Sequence, residues 1–189
     1  MRISEEHALQ LLLAGEIVAL PTETVYGLAG SLDQFEKIYA LKQRPKEKRF
    51  AIAISSLDML DRFEAKIPAN FYELTEQYWP GPLTLILPTN EGTTAFRMPD
   101  QTQTLNIIDK SGPLVLTSAN LSGQASATTP EEIESAFGEE FPIVDGGKCL
   151  LSRESTILTY NDNEWKVIRQ GAFDAELIKS FITRNEKQE

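Results

Sequence analysis

Apolar and polar positions along the chain follow two spacings, one typical of amphipathic helices and one typical of short buried strands. Ser4 followed by Glu5 and Glu6 begins an apolar pattern that ends at Gly15, as expected for an N-capped helix stopped by glycine. The spacing predicts further helices at 33–41, 58–63, 70–79, 130–137 and 173–183, and an ambiguous pattern is assigned to a helix at 101–110. Short apolar or β-branched runs predict strands at 17–20, 50–54, 83–87, 94–98, 113–117, near 143, at 155–160 and at 165–168.

Strands and helices alternate along the chain without a strict βαβ rhythm. This order favours an α/β fold in which helices flank a mixed sheet of parallel and antiparallel strands. A chain of 189 residues suffices for one substantial core. The interpretation is therefore a single domain that spans residues 1–189.

Cysteine and histidine usage excludes several kinds of chemistry. Cys149 is the only cysteine and His7 the only histidine, so the chain cannot form an internal disulfide or a zinc site of the usual Cys/His type. His7 lies in the first turn of the predicted N-terminal helix, where a solvated role explains it better than a Ser-His-Asp triad. No apolar run approaches membrane-spanning length, and residues 1–15 lack the pattern of a signal peptide. The expected location is the cytoplasm, without a membrane partner.

A basic cluster interrupts an otherwise acidic chain. The formal net charge is −10, yet five cations fall between residues 42 and 49, namely Lys42, Arg44, Lys46, Lys48 and Arg49. Local positive potential in an acidic field suits a small, multiply charged anion such as a nucleoside triphosphate. Two alternatives remain open, a solvated loop of mixed charge and cations that stabilise the negative end of the preceding helix dipole.

Two hydroxyl-rich segments follow predicted strands, where ligand-binding loops are common. Thr22 and Thr24 lie in the first, at 21–30, in the position of a βα loop. Ser118 and Asn120 lie in the second, at 117–123, and their short side chains suit phosphate oxygens or an adenine edge. The alternative is that these hydroxyls satisfy local backbone groups, and neither segment contains the Gly-Lys-Ser/Thr run of a Walker A loop.

Arg97 lies near the end of the strand predicted at 94–98. A guanidinium at that position is suited to clamp a substrate carboxylate with two parallel hydrogen bonds. The alternative from local sequence is a surface arginine paired with Asp100. Ser155 opens one late strand and Arg169 closes the next, so both polar ends reach one cleft if the two strands pair.

Eight segments occur in a fixed order along the chain: PTETVYGLAG at 21–30, KQRP at 42–45, WPGPLTLIL at 79–87, FRMPD at 96–100, TSANLSG at 117–123, and then DGG, EST and IRQG between 145 and 171. This ordered set resembles the YrdC/TsaC family, the threonylcarbamoyl-AMP synthases of tRNA modification. The resemblance implies a twisted mixed sheet with a concave cleft. It also implies ATP-dependent synthesis of L-threonylcarbamoyl-AMP from L-threonine and bicarbonate or CO₂, with release of pyrophosphate, as the first step of threonylcarbamoyladenosine formation at position 37 of tRNAs.

The resemblance also implies roles for individual residues. Threonine contacts are expected from Thr24, Arg97, Ser118 and Ser155. Nucleotide contacts are expected from Lys42, Arg44, Lys48, Thr93, Asn120, Thr128 and Arg169, and of these Lys42 and Arg44 are expected to stabilise charge on the phosphates during the reaction. The expected cofactor is Mg²⁺ bound with ATP, with no protein ligands assigned.

The expected partners are the substrates ATP, L-threonine and bicarbonate. A transient contact with the downstream threonylcarbamoyl-transferase complex is a further expectation, and direct tRNA binding is expected to be weak or absent. Arg49 and Phe50 depart from the Pro-Leu that members often have, and Ala53 lies near the place where longer members carry a histidine. The end of the chain at Glu189, without an additional domain, resembles the short bacterial form.

Two other functions compete with the synthase interpretation. The basic cluster and a concave sheet also suit an RNA-binding module for tRNA or rRNA maturation, but the strongly acidic remainder opposes contact with many phosphates. A carbamoyl-transferring domain of similar fold is the third interpretation, although such domains usually lie inside longer chains.

Overall fold

One mixed β-sheet organises the chain. The computed structural model describes residues 1–68, 70–162 and 164–178. Its strands are β1 (Arg2–Ile3), β2 (Val18–Leu20), β3 (Gly27–Gly30), β4 (Ala51–Ala53), β5 (Leu83–Thr89), β6 (Gly92–Arg97), β7 (Leu114–Ser118), β8 (Ile143–Val144), β9 (Thr156–Asn161) and β10 (Glu164–Arg169). Its helices are α1 (Glu5–Leu13), α2 (Phe35–Lys42), α3 (Phe71–Tyr78), α4 (Thr102–Ser111) and α5 (Pro130–Phe137), with a 3₁₀ helix at Leu57–Phe63.

The strands hydrogen-bond in the order β1-β8-β2-β3-β7-β4-β6-β5-β9-β10. Pairing is parallel for β1 with β8, β2 with β8, β4 with β6 and β5 with β9. It is antiparallel for β2 with β3, β3 with β7, β4 with β7, β5 with β6 and β9 with β10. The mixed α/β sheet expected from the sequence is therefore confirmed.

Helices cover both faces of the sheet. Val18 and Leu20 belong to one apolar cluster and Ala19, between them, belongs to a second. Because successive strand residues point to opposite faces, the two clusters lie on opposite sides of the sheet. Apolar residues of α1 and α4 complete the first cluster, and those of α2, α3 and α5 complete the second.

Capping residues set several helix boundaries. Ser4 caps α1 and Thr129 caps α5, each through a side-chain oxygen that accepts a backbone N–H of the first turn. Gln101 caps α4 in the same way, accepting a hydrogen bond from Thr104 N at 3.1 Å. The helix assigned at 101–110 is thereby confirmed. Within the described ranges, no helix is both long and apolar enough to cross a membrane.

The segment at 21–30 differs from the loop that the sequence suggested. Its second half is β3, which is antiparallel to both β2 and β7, so only 21–26 remains a loop and the expected βα connection is wrong. The sequence Gly-Leu-Ala-Gly lacks the β-branched residues that signal a strand. Gly27 fits because a Cβ at that position would lie 2.6 Å from Leu116 Cδ1.

Three smaller differences concern short or terminal elements. β1 has two residues, too few to produce a pattern in the sequence. The helix predicted at 58–63 is a 3₁₀ helix. Of the helix predicted at 173–183, residues 175–178 are helical and residues 179–183 lie outside the described residues.

Tyr26 joins three loops at the N-terminal end of β3. Its backbone N–H donates to Ala127 O at 2.8 Å, and its carbonyl accepts from Ala119 N at 2.7 Å. Its hydroxyl donates to Gly147 O at 2.9 Å, and burial raises the pKa of Tyr26 to about 12. The loops at 21–26, 119–127 and 145–147 are thus held against one another.

We expect Gly171→Ala to destabilise the fold by about 2–3 kcal/mol, because overpacking against rigid atoms is costly. A Cβ on Gly171 would lie 2.2 Å from Ser155 C and 2.3 Å from Glu154 O, backbone atoms at the entry to β9. Urea denaturation measures the loss.

Gly123→Ala is the control for this substitution. A Cβ on Gly123 would meet no atom within 4 Å, but the φ of this residue is +86°, so alanine there should cost about 1 kcal/mol. Equal losses in the two variants would contradict the steric explanation.

Candidate active site

A concave cleft of about 320 Å³ opens on the sheet. Leu116, Ala51, Ala95 and Ile86 lie in register across β7, β4, β6 and β5 and line its floor. The small side chains of Ala51 and Ala95 leave the depression in the middle of this row. The volume is in the range of small-molecule binding sites.

The cleft is electropositive although the chain is acidic. Among the described residues, four arginines line it, Arg44, Arg49, Arg97 and Arg169, against a single lining carboxylate, Glu154. Fixed cations in a concave site concentrate and orient small anions. The tertiary structure thus places in one cleft arginines that lie far apart in the sequence.

Five of the residues predicted from the sequence line the cleft together: Arg44, Arg97, Ser118, Ser155 and Arg169. Thr24 lies directly behind the lining, where it accepts a hydrogen bond from Arg97. The other predicted residues are not part of the lining, and these are Lys42, Lys48, Thr93, Asn120 and Thr128. The structure shows what each of them contacts, and their roles toward a ligand stay predictions.

Arg97 is held in a buried ion pair. Its Nη2 donates to Glu23 Oε1 at 2.8 Å and to Thr24 Oγ1 at 2.7 Å, and the residue is only 9% exposed. The other oxygen of Glu23 accepts from Asp100 N at 3.1 Å. The suggested surface pairing of Arg97 with the Asp100 side chain is therefore wrong.

Only one of the three nitrogens of the Arg97 guanidinium makes hydrogen bonds to the described residues. Arg97 Nε is buried and makes no hydrogen bond to any of the described residues. A buried, unsatisfied donor is costly unless a ligand completes it. Arg97 therefore presents an unused, positively charged donor in the lining of the cleft.

A series of hydrogen-bonded hydroxyl groups extends from Arg97. Thr24 Oγ1 accepts from Arg97 and lies 2.8 Å from Thr22 Oγ1, which in turn donates to Val25 O at 2.6 Å. This arrangement makes Thr24 the donor to Thr22. Thr22 thus satisfies local backbone, as the alternative interpretation proposed, whereas Thr24 also fixes the guanidinium.

Ser155 and Arg169 meet on the other side of the cleft, because β9 and β10 pair as a hairpin. Arg169 Nη2 donates to Ser155 O at 2.9 Å, and Arg169 Nη1 pairs with Glu154 Oε2 at 2.5 Å. Ser155 Oγ lies 2.8 Å from Thr84 Oγ1 on β5. Ser155 and Arg169 therefore both reach one cleft, as expected if their strands pair.

Lys42 is buried and fully engaged with the loop after β7. Its ammonium donates to Ser118 O, to Asn120 O at 2.8 Å and to Asn120 Oδ1 at 2.9 Å. These three acceptors match the three donors of a lysine. Burial, together with the nearby charge of Arg44, lowers the pKa of Lys42 to about 8. In this arrangement Lys42 shapes the loop that carries Ser118 and Asn120.

The rest of the basic cluster divides between the cleft and solvent. Arg44 lines the cleft, with its guanidinium carbon 5.1 Å from the centroid of the Phe50 ring and its Nε donating to Lys48 O at 2.9 Å. Lys46 lies in solvent and pairs with Glu36 at 2.6 Å. The solvated-loop interpretation therefore applies to Lys46 but not to Arg44.

The remaining predicted residues make local contacts near the cleft. Thr93 O accepts a hydrogen bond from Arg49 Nη1 at 2.8 Å. Thr128 donates from its backbone N–H to Glu132 Oε2 at 2.6 Å, which fixes the start of α5.

Two carboxylates of the site were not predicted from the sequence. Glu23 lies in the PTET segment, and its burial is the property that a sequence does not reveal. Glu154 directly precedes Ser155 in the EST segment and faces the cleft. The signal available in the sequence was an acidic residue inside a hydroxyl-rich segment. That these residues face arginines distant in the chain is visible only in the structure.

Comparison with known proteins decides the family. A family model of the Sua5, YciO and YrdC proteins, described as telomere recombination, matches residues 10–171. The chain belongs to the Sua5/YciO/YrdC family. The resemblance drawn from the ordered sequence segments is confirmed.

Alignments with threonylcarbamoyl-AMP synthases of the family cover most of this chain. The threonylcarbamoyl-AMP synthase of Bacillus subtilis is 37% identical over 191 residues, which cover 93% of this chain and 55% of that protein. The chain thus spans about half the length of that relative. It also spans 54% of the Pyrococcus abyssi threonylcarbamoyl-AMP synthase, which is 36% identical.

Solved structures of the family share the fold. Pyrococcus abyssi Sua5, determined in complex with L-threonine, superposes with a TM-score of 0.89 at 32% identity, covering 96% of this chain and 59% of that one. Escherichia coli YciO superposes with a TM-score of 0.79 at 21% identity, covering 93% and 96% of the two chains. The YrdC-like fold class is therefore confirmed for this family member.

We expect Glu23→Ala to reduce the free energy of unfolding by about 3 kcal/mol, because it leaves Arg97 buried without its counterion. Urea denaturation provides the measurement. The control is Glu36→Ala, since the Glu36–Lys46 pair is 73% and 69% exposed and should contribute less than about 1 kcal/mol. A loss for Glu23→Ala no larger than the control would contradict the inferred strength of the buried pair.

We expect Lys42 to titrate with a pKa of about 8 in the folded protein, below the ordinary value of 10.5. Because the folded state then releases this proton before the unfolded state does, the free energy of unfolding should rise by about 1–2 kcal/mol between pH 8 and pH 10. Below about pH 7 Lys42 is protonated in both states, so it should add no pH dependence to the free energy of unfolding.

Side-chain NMR of the lysine Cε resonances follows the titration of Lys42, and Lys42→Met identifies its signal. The same variant should lack the rise in stability, which separates Lys42 from other groups. Titration of Lys42 together with the exposed lysines, near pH 10, would refute the assignment.

Proposed function

We propose that the chain synthesises L-threonylcarbamoyl-AMP from L-threonine, bicarbonate and ATP. One observation carries the proposal: a single cleft joins Arg97, with its unused buried N–H, to the arginines Arg44 and Arg169. The first matches an amino-acid carboxylate and the others match phosphates. The chain belongs to a family in which relatives are named threonylcarbamoyl-AMP synthases and one solved member holds L-threonine.

The threonine end of the proposed site is built around Arg97. Its Nη2 is already committed to Glu23 and Thr24, whereas Nε and Nη1 make no hydrogen bond to the described residues. The carboxylate of threonine accepts from the unused N–H groups of Arg97 in this proposal. Ser155 and Ser118 place hydroxyls in the same cleft for the amine and side-chain hydroxyl.

The nucleotide end lies along Arg44 and Arg169. Arg44 is stacked on Phe50 and bonds only backbone carbonyls among the described residues, so its charge is available to a phosphate. Arg169 shares its charge with Glu154. Four further residues remain proposed nucleotide contacts, namely Asn120 on the loop that Lys42 fixes, Lys48, Thr93 and Thr128.

The proposed chemistry needs positioning and charge neutralisation more than a protein nucleophile. The amine of threonine forms an N–C bond with CO₂ derived from bicarbonate, and a proton is released. A carbamate oxygen then forms an O–P bond with the α-phosphorus of ATP, and the bond to the β-phosphate oxygen breaks to release pyrophosphate. Arg44 stabilises the charge that accumulates on the phosphates.

Mg²⁺ is proposed to enter with ATP. Among the described residues, no group of three or more His, Cys, Asp or Glu side chains is placed to hold a metal ion. Mg²⁺ in nucleotide sites commonly uses phosphate oxygens, waters and one or two carboxylates. Glu154, the one carboxylate among the described residues that line the cleft, would hold the ion in this mode, and the ion would supply positive charge to the phosphates.

The product is proposed to pass to a downstream threonylcarbamoyl-transferase complex through a transient contact. Direct tRNA binding is proposed to be weak or absent, because the arginines of the cleft face a concave site instead of forming a broad basic surface.

The decisive experiment measures pyrophosphate release from ATP with threonine and bicarbonate added separately and together to degassed buffer. We expect release only when both are present, with threonylcarbamoyl-AMP identified by mass spectrometry. Pyrophosphate release that does not depend on threonine would overturn the proposal. Salt-sensitive RNA binding without turnover would favour the RNA-binding interpretation instead.

Arg44→Ala tests the phosphate end in the same assay. We expect a loss of about 100-fold or more, as for removal of one preorganised charge-stabilising donor. Lys46→Ala is the matched control from the same cluster, since Lys46 pairs with Glu36 in solvent, and should change the rate less than about twofold. Thermal melting confirms that both variants fold.

A further inference from the structure

Among the described residues, two of the four arginines that line the cleft have an acidic partner and two do not. Arg97 pairs with Glu23 and Arg169 pairs with Glu154. Arg44 and Arg49 both line the cleft, and among the described residues neither has a carboxylate within ion-pair distance. Within the same part of the chain, their side chains donate hydrogen bonds to backbone carbonyls.

Arg49 is held beside Arg44 by backbone contacts. Its Nη1 donates to Thr93 O at 2.8 Å on β6, and its own carbonyl accepts from Arg44 Nη2 at 3.2 Å. Arg44 is fixed in turn by the ring of Phe50 at 5.1 Å and by Lys48 O at 2.9 Å. These contacts hold both arginines in one wall of the cleft, with Arg44 partly buried and Arg49 exposed.

This wall requires an anion for electrostatic reasons. An arginine has five N–H donors, and backbone carbonyls occupy only a minority of them in Arg44 and Arg49. Burial lowers the pKa of Arg44, as expected for a cation that has lost water without gaining a counterion. Arg49 brings a further guanidinium to the same cleft, so an anion with two charged groups would neutralise both arginines.

We propose that Arg49 is a second phosphate-binding residue, which together with Arg44 holds a diphosphate group. The ligand class is the β- and γ-phosphates of ATP and the pyrophosphate that leaves. The inference rests on the proposed function, whose α-phosphate chemistry takes place deeper in the cleft. Lys46, two residues after Arg44, has no part in it because it pairs with Glu36 away from the cleft.

The test measures binding of inorganic pyrophosphate by isothermal titration calorimetry at about 0.15 M salt, where exposed charges are screened beyond about 8 Å. The variants are Arg49→Gln and the matched control Lys46→Gln, which remove the same charge from the same cluster. Glutamine at position 49 removes the charge and keeps an uncharged N–H donor. AMP, which lacks the β- and γ-phosphates, is titrated in parallel.

We expect Arg49→Gln to weaken pyrophosphate binding about 10- to 100-fold, the effect of losing a charge-assisted hydrogen bond to a phosphate. Lys46→Gln should change it less than about twofold, and AMP affinity should change less than about twofold in both variants. Arg49→Lys, which keeps a charge but loses the planar fork, should fall between wild type and Arg49→Gln.

Equal pyrophosphate affinities in Arg49→Gln and Lys46→Gln would overturn the inference. A parallel loss of AMP affinity would also overturn it, because the effect would then lie in the shape of the cleft. The proposed function fails by a different result, the absence of threonine-dependent pyrophosphate release by the wild type. Binding of pyrophosphate is measured without turnover, so the two failures are distinguishable.

Discussion

The buried pair of Glu23 and Arg97 is the interaction that holds the cleft in its shape. It connects the loop at 21–26 to the end of β6, two segments that are distant in the chain. Glu23 also accepts from Asp100 N, and Arg97 also donates to Thr24, so both charged groups are compensated in a site that excludes most water. Nη2 is occupied by these contacts and fixes the guanidinium, while the N–H groups of Nε and Nη1 make no hydrogen bond to the described residues.

Charge is distributed so that the acidic chain concentrates unpaired guanidinium groups in one concave region. Lys46 and Arg2 are neutralised by surface carboxylates, whereas Arg44 and Arg49 donate to backbone carbonyls and have no carboxylate partner among the described residues. Phe50 makes a cation–π contact with the guanidinium of Arg44. A net negative surface around this cleft favours a small anion that enters it over an extended polyanion.

Lys42 shows how a cation contributes without facing the cleft. Its ammonium donates to three oxygens of Ser118 and Asn120, which fixes the loop after β7 next to the site. Tyr26 plays a comparable part for the loops at 119–127 and 145–147. The residues that line the cleft are thus positioned by buried neighbours drawn from other segments.

Elements with a local cause could be predicted from the sequence. Caps such as Ser4 and Thr129 and the periodic apolar positions located the helices, and the ordered segments identified the family. Three features became visible only in the folded chain: Gly27–Gly30 is a strand, Glu23 is the partner of Arg97, and Lys46 faces solvent while Arg49 faces the cleft. Burial, strand pairing and the choice of counterion depend on residues distant in the chain, and no local pattern encodes them.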